Sequence, residues 1–367
     1  MREKVRRVGE RFMVGFDGHV ASSDVKRMIR EFGVGHVILF GRNVDAPEQV
    51  AELVRELQGV AKDAGHALPL LVAVDQEGGR VSRLSEPWTV WPPMRAVGRI
   101  GSEDLARKVG AGLAAELSAC GIRWDLAPDV DVDTNPDNPV IGDRSFGDDP
   151  GLVGRLGAAL IRGLQEGGVA ACAKHFPGHG DTDVDSHLEL PAVDHPWPRL
   201  DEVELPPFRA AIGAGVASIM TAHVMVRELD DTVPATLSPR VVDGLLRKEM
   251  RYGGVIVSDD LEMNAVATHW GVGQGAVKAA QAGCDVLPVC SRVEAQVEAI
   301  ESLIRALEAE AVPWSAMDDA CARIRRLKEM YLVPYRPPDP KEARAAAGSA
   351  ERAGLSREIM DRAGMTA

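Results

Sequence analysis

Eight short apolar runs alternate with eight amphipathic stretches along the chain, and this alternation restricts the fold more than any other feature of the sequence. The runs are Phe12–Phe16, His36–Phe40, Leu70–Asp75, Arg123–Ala127, Val169–Lys174, Ala217–Ala222, Gly254–Ser258 and Asp285–Cys290. Between and after them, apolar residues recur at helical spacing in Ser23–Glu31, Pro47–Ala64, Ser102–Ala119, Pro150–Glu166, Glu204–Ala214, Pro239–Glu249, Gly273–Ala282 and Val293–Ala309. Ser23 and Ser102 are expected N-caps, and Gly33, Gly65, Gly121 and Gly283 expected stops. A βα rhythm with uniformly apolar strands belongs to a parallel sheet covered by helices. Eight such units predict an α/β fold, a single closed (β/α)8 TIM-type barrel rather than an open doubly wound sheet.

The length of 367 residues suffices, since such barrels need roughly 250. The dinucleotide-binding alternative lacks its turn: Gly271-Val272-Gly273-Gln274-Gly275 does not follow a strand at the right spacing, and no GxxxxGK[ST] occurs. The barrel is expected over residues 1–335. After Tyr335, Arg336-Pro337-Pro338-Asp339-Pro340 breaks the pattern, and Lys341–Ala367 is rich in Ala, Arg and Glu. Residues 336–367 therefore read as a C-terminal tail, with room for a surface helix but too few large apolar residues for a domain.

Composition excludes several function classes. A formal net charge of −13 argues against nonspecific nucleic-acid or anionic-membrane binding. No stretch approaches the ~20 apolar residues of a membrane span, and Phe12–Phe16 is too short for the apolar core of a signal peptide. The five cysteines (Cys120, Cys172, Cys284, Cys290 and Cys321) are scattered and odd in number, which predicts reduced thiols and a cytoplasmic setting.

In a barrel of this kind, chemistry sits at the C-terminal ends of the strands. Polar groups collect there. Asp75 ends the third run, ahead of Gln76-Glu77-Gly78-Gly79-Arg80-Val81-Ser82-Arg83, and Arg144 lies in the loop after the fourth. Lys174 and His175 end the fifth, His223 follows the sixth, and Asp259-Asp260 end the seventh. Each also has a structural reading: Asp75 as a turn cap, Arg83 or Arg144 as a surface ion pair, His223 as a core histidine, one of Asp259 and Asp260 as a helix cap. Their joint placement at strand ends favours an enzyme.

The loop Lys174-His175-Phe176-Pro177-Gly178-His179-Gly180-Asp181-Thr182-Asp183-Val184-Asp185-Ser186-His187 is the richest in ionisable groups. Asp181-x-Asp183-x-Asp185 mimics the start of a calcium loop, but Ser186 replaces the glycine and Ala192 the bidentate glutamate. Asp129-x-Asp131-x-Asp133 fails in the same way, and no HExxH is present. A loop site built on His175, His179 and His187 is the remaining metal alternative. The main expectation needs no metal and no cofactor: a carboxylate nucleophile, Asp259, on a rigid strand end, with a separate proton donor. Asp185 stands two residues from His187 and would fix its tautomer and favour its protonated form.

Four blocks carry a resemblance to a known family. They are Lys174-His175-Phe176-Pro177-Gly178-His179-Gly180 with Asp185-Ser186-His187, Asp75-Gln76-Glu77-Gly78-Gly79-Arg80-Val81-x-Arg83, Ile141-Gly142-Asp143-Arg144-Ser145-Phe146, and Val257-Ser258-Asp259-Asp260-Leu261-x-Met263. In order over roughly residues 10–333, they resemble glycoside hydrolase family 3, and within it the peptidoglycan-recycling β-N-acetylglucosaminidase branch. The resemblance implies a single (β/α)8 barrel and a retaining, exo-acting mechanism through a covalent glycosyl-enzyme. Asp259 would be the nucleophile, His187 the acid/base and Asp185 its dyad partner. Asp75, Arg83, Arg144, Lys174 and His175 would hold an N-acetylglucosamine unit of cell-wall saccharides or muropeptides.

A family 3 β-glucosidase is the enzymatic rival, opposed by the Asp185-Ser186-His187 loop. A phosphorylase is another, because a neutral imidazole would not repel incoming phosphate as a carboxylate would. A catalytically silent sugar-binding barrel would have no use for Asp259 and His187 together. Pro288 inside the eighth run is unusual for a central strand. Oligomeric state is not encoded in any of these features.

Overall fold

The computed structural model of the chain describes residues 2–184 and 189–365. Its eight barrel strands are β1 (Phe12–Val14), β2 (His36–Leu39), β3 (Leu71–Val74), β4 (Trp124–Asp125), β5 (Ala170–Phe176), β6 (Ser218–Thr221), β7 (Val255–Ser258) and β8 (Leu287–Val289). Every pairing between them is parallel, each strand lies beside its neighbours in sequence, and β1 also pairs with β8. All eight expected strands are present. Most are shorter than their apolar runs, whereas β5 continues through His175 and Phe176.

The ring closes unevenly. Three residue pairs join β1 to β8, but β7 and β8 meet in the single bridge Val257–Val286. Pro288 explains this. Leu287 N donates to Arg11 O on the β1 side, whereas Val286 N donates to Ile256 O on the β7 side. By alternation the next N–H toward β7 would come from residue 288, and proline has none. The unusual residue thus sits in a strand and thins one seam of the barrel.

Alternation also sorts the core into two shells. Met13, Ile38, Leu71, Ala73, Trp124, Ala170, Cys172, Met220, Val255 and Val257 point into the barrel and pack together. Their neighbours Phe12, Val14, Val37, Leu39, Val72, Val74, Ala171, Ile219 and Ile256 face the surrounding helices. Both faces are buried, which is why the strands read as continuous apolar runs. Trp124 crosses the interior, its indole N–H donating to Ser218 Oγ at 2.8 Å. Below, helix Trp314–Leu332 sends Ile324, Leu327 and Leu332 into the same inner cluster and closes the N-terminal end of the barrel.

Helix starts and stops follow local chemistry, with one correction. Ser102 caps Glu103–Ala119 by accepting from Leu105 N, but the helix expected to be capped by Ser23 is capped by Ser22, which accepts from Val25 N. Gly33 and Gly283 end their helices in the left-handed region, where a side chain would be strained. After Tyr335 the chain forms two helices, Pro340–Ala346 and Ala350–Ala363, which pack on Pro47–Asp63, Glu103–Ala119 and Met94–Ile100 and bury Ala343 and Ile359. Among the described residues, no helix is long and apolar enough to cross a membrane.

Candidate active site

Strand alternation carries the inward register past the apolar interior to the rim. Leu71 and Ala73 are followed by Asp75, Ala170 and Cys172 by Lys174, and Val255 and Val257 by Asp259. All three charged residues line one pocket of about 210 Å³ at the C-terminal ends of the strands. His175 should then face outward, but it lines the pocket too. The β5–β6 ladder pairs Ala173 with Ile219 and next Phe176 with Thr221, so one extra residue on β5 breaks the alternation. Arg144 enters from the short helical turn Gly142–Arg144, and Arg83 follows the small hairpin of Gln76–Gly78 and Val81–Ser82. The described part of the predicted set therefore converges: Asp75, Arg83, Arg144, Lys174, His175 and Asp259. Asp185 and His187 lie outside the described residues.

Glu77, 2% exposed, organises the charges. Its carboxylate takes Arg144 as a fork, Nε at 2.9 Å and NH2 at 2.8 Å, and Lys174 Nζ at 2.6 Å. Lys174 also reaches Asp75 at 2.8 Å, and Arg83 stands 3.8 Å from Asp75. Burial disfavours the Glu77 anion, yet Arg144 and Lys174 together hold its carboxyl well below the usual range. The same pairing overcomes burial at Lys174, which Asp75 and Glu77 keep more basic than usual. Glu77, Arg144 and Lys174 are therefore ionised across the physiological range and present fixed charges to a ligand.

A second layer fixes His175. Asp131 Oδ2 meets His175 Nδ1 at 2.7 Å, and its Oδ1 accepts His179 N at 2.7 Å. Arg144 NH2 lies 3.3 Å from His175 Nε2 and 3.3 Å from Asp129 Oδ2. Burial and the Arg144 guanidinium lower His175 to about 4, so it is neutral at pH 7. The network then assigns the proton to Nδ1, toward Asp131, leaving Nε2 to accept from Arg144. Burial and Asp131 push Asp129 up to about 7. Asp129, Asp131 and His175 bring three potential ligand atoms within 4.8 Å of one another. The cationic neighbour of this set is the Arg144 guanidinium, and both Asp131 oxygens already accept N–H groups.

At the end of β7, Asp259 is half-buried, and its Oδ1 accepts Asp260 N at 2.8 Å. Asp260 also lines the pocket, but its Oδ1 is committed to backbone, accepting Glu262 N and Cys290 N, and burial pushes it up to about 7. Neither caps the following helix, Asn264–Trp270, whose N-cap is Met263 with no side-chain bond; the capping alternative is corrected. Asp75 is likewise an ion-pair partner of Lys174 rather than a turn cap. His223 is fully buried between Thr236 Oγ1 and Asp260 O, each at 3.0 Å, and plays a core role.

Residues 2–327 match the glycosyl hydrolase family 3 N terminal domain. The chain belongs to glycosyl hydrolase family 3. The beta-hexosaminidase of Thiobacillus denitrificans is 37% identical over 356 residues, 94% of either chain. Beta-hexosaminidase A of Pseudoalteromonas piscicida is 36% identical over 83% of this chain, which spans about half of that relative, 55% of its length. Among solved structures, a family 3 beta-N-acetylglucosaminidase from Paenibacillus sp. superposes with a TM-score of 0.90 at 42% identity, covering 98% of this chain and 68% of that one.

In this family 3 chain, sequence reasoning passed over Glu77, Asp129, Asp131 and His179 as pocket-building residues. Glu77 had a readable signal: it follows Asp75 by two residues in the same block, and two rim cations, Lys174 at a strand end and Arg144 in a loop, demand a counter-charge. Asp129 and Asp131 were weighed only as calcium ligands. Of their partners, His175 comes from β5 and Arg144 from a helical turn thirteen or more residues further along the same loop, and no local spacing announces either.

Proposed function

We propose that this chain is a retaining exo-β-N-acetylglucosaminidase, in which Asp259 is the nucleophile, His187 the acid/base and Asp185 its orienting partner. The observation that carries the reading is the position of Asp259: the inward register of β7 delivers its carboxylate into a small pocket that it shares with the Asp75–Lys174 ion pair and Arg144. A pocket of about 210 Å³ closed by the barrel interior suits one terminal sugar rather than the middle of a chain. The names of the relatives support the N-acetylglucosaminide, and the resemblance to the peptidoglycan-recycling branch supports cell-wall saccharides or muropeptides as its source. Five free cysteines, four of them buried, support a reducing, cytoplasmic compartment. Residues 1–335 would be the catalytic barrel and 336–367 a segment appended to it.

In the first step an Asp259 oxygen attacks the anomeric carbon while the bond to the leaving oxygen breaks, and His187 gives that oxygen its proton. In the second, His187 takes a proton from water, the water oxygen attacks the same carbon, and the Asp259 carboxylate is released. Two inversions at one carbon give retention. Asp75, Arg83, Arg144 and Lys174 would hold sugar hydroxyls by charge-assisted hydrogen bonds, with Arg144 and Lys174 held in place by Glu77. Neutral His175, locked by Asp131, offers a fixed polar edge that does not add charge.

The test compares hydrolysis of chromogenic N-acetyl-β-glucosaminide and β-glucoside. A clear preference for the first is expected. Preference for the glucoside would overturn the substrate, and no turnover of either would overturn the activity.

A further inference from the structure

Helices Pro340–Ala346 and Ala350–Ala363 take no part in the proposed chemistry, yet they grip the loop behind the sugar pocket. Glu116, 4% exposed on helix Glu103–Ala119, gathers four donors on one oxygen. They are Thr89 N at 3.1 Å, Thr89 Oγ1 at 2.8 Å, Gly348 N at 2.8 Å and Arg352 Nε at 3.4 Å. Ser356 Oγ donates to Val90 O at 2.6 Å. The packing is close: a Cβ on Gly348 would stand 2.2 Å from Pro87 O, and one on Gly112 would stand 2.4 Å from the Trp91 ring. The loop through Thr89 and Trp91 is therefore clasped between the barrel's own helix and the C-terminal segment.

That clasp continues into the site. Trp91 O accepts Gly79 N at 2.9 Å, at the turn of the hairpin that carries Glu77 and leads to Arg83. From the same turn Arg80 donates to Val140 O at 2.5 Å and Ile141 O at 3.1 Å, at the foot of the turn bearing Arg144. A side chain is as well placed as the backbone beneath it.

We propose that Glu116, Arg352 and Ser356 are positioning residues, through which the C-terminal helices brace the Gln76–Ser82 hairpin and set the affinity for the sugar. The proposal rests on the reading of this pocket as an N-acetylglucosamine site. Full-length Glu116→Ala, Glu116→Gln and Ser356→Ala are compared with wild type by three readouts. They are binding of N-acetylglucosamine by calorimetry, kcat and KM on the chromogenic N-acetyl-β-glucosaminide, and hydrogen exchange of residues 76–83. Glu116→Ala strands four donors, so Kd and KM rise about tenfold with kcat within about threefold, and exchange of 76–83 quickens. Glu116→Gln keeps an acceptor for Thr89 and Gly348 and stays within about threefold in Kd, as does Ser356→Ala, with a smaller gain in exchange. A folded Glu116→Ala protein with unchanged Kd and unchanged exchange overturns the brace, and so does a loss confined to kcat. Should Glu116→Ala not fold, exchange of 76–83 in Arg352→Ala and Ser356→Ala decides: quicker exchange supports the brace, and unchanged exchange in both overturns it. Should wild type hydrolyse no N-acetylglucosaminide, the reading of the pocket fails while exchange of 76–83 still decides the brace.

Discussion

The barrel buries charge at both ends, and the two ends use it differently. At the N-terminal end Asp285 is fully buried, with Oδ1 taking Arg323 at 2.9 Å and Oδ2 taking Arg247 and Ile256 N, each at 2.9 Å. Arg11 donates to Asp285 O at 3.0 Å, and Lys328 meets Glu10 at 2.6 Å. Helix Trp314–Leu332 seals this end. At the C-terminal end, Asp75, Lys174, Arg144 and Asp259 are as firmly placed but border an open pocket. Buried charge is therefore no sign of function in this molecule. What marks the site is charge that is both fixed and facing space a ligand can enter.

Substitutions at the two ends should separate activity from stability. Asp259→Ala should lose ~10⁴-fold or more in kcat with its melting temperature nearly unchanged, since the variant lacks the proposed nucleophile of both steps. Retained turnover, or an Asp260→Ala variant that is the dead one, would move the nucleophile elsewhere. Asp285→Ala should do the reverse. Stranding buried Arg247 and Arg323 should cost about 3–5 kcal/mol and lower Tm by about ten degrees, while the folded fraction keeps wild-type kcat. A drop in kcat per folded molecule would mean that the two ends are coupled.

Between these extremes, Glu77→Gln removes the charge that holds Lys174 and Arg144 while keeping the shape. The affinity for N-acetylglucosamine should fall about 10- to 100-fold by calorimetry, with a smaller loss of stability. Equal affinity would mean that the cations find their places without it.

The smallest effect concerns pH. Asp260 is raised to about 7 from an ordinary value near ~4. The folded state thus keeps a proton that the unfolded chain has released, and this stabilisation is present at low pH and lost as pH rises through about 7. Asparagine cannot ionise. The Tm of Asp260→Asn relative to wild type should therefore climb by a few degrees between pH 5 and pH 8. A flat or falling difference would show that Asp260 is already ionised at pH 5.

The open end was the more legible of the two in the sequence. Asp75, Lys174 and Asp259 each continue the inward register of their strands, so finding the strands finds them. His175 was placed on the right strand, but the extra residue in β5 that turns it inward leaves no local signal. Asp285 was read only as the start of a strand, because its partners come from helices Arg240–Glu249 and Trp314–Leu332, far away in sequence. Ser22 for Ser23 is the ordinary ambiguity of adjacent serines, either of which can offer its hydroxyl to a helix start. The tail's hold on the Thr89–Trp91 loop depends on Glu116, one acidic residue in a helix that reads as solvated until its partners are known.

The thin seam at Pro288 lies beside the strand of the proposed nucleophile. Four residue pairs tie β7 to β6, while a single bridge ties it to β8. Backbone bonds still cross that seam, from Val286 N to Ile256 O, Ser258 N to Val286 O and Leu261 N to Pro288 O, so the strand that carries Asp259 is held along both edges, more sparsely along one. During a displacement the anomeric carbon must travel toward the carboxylate, and then away from it on the return. Under the proposed mechanism that travel falls to the sugar, because Asp259 stands at the end of a strand bonded along both edges.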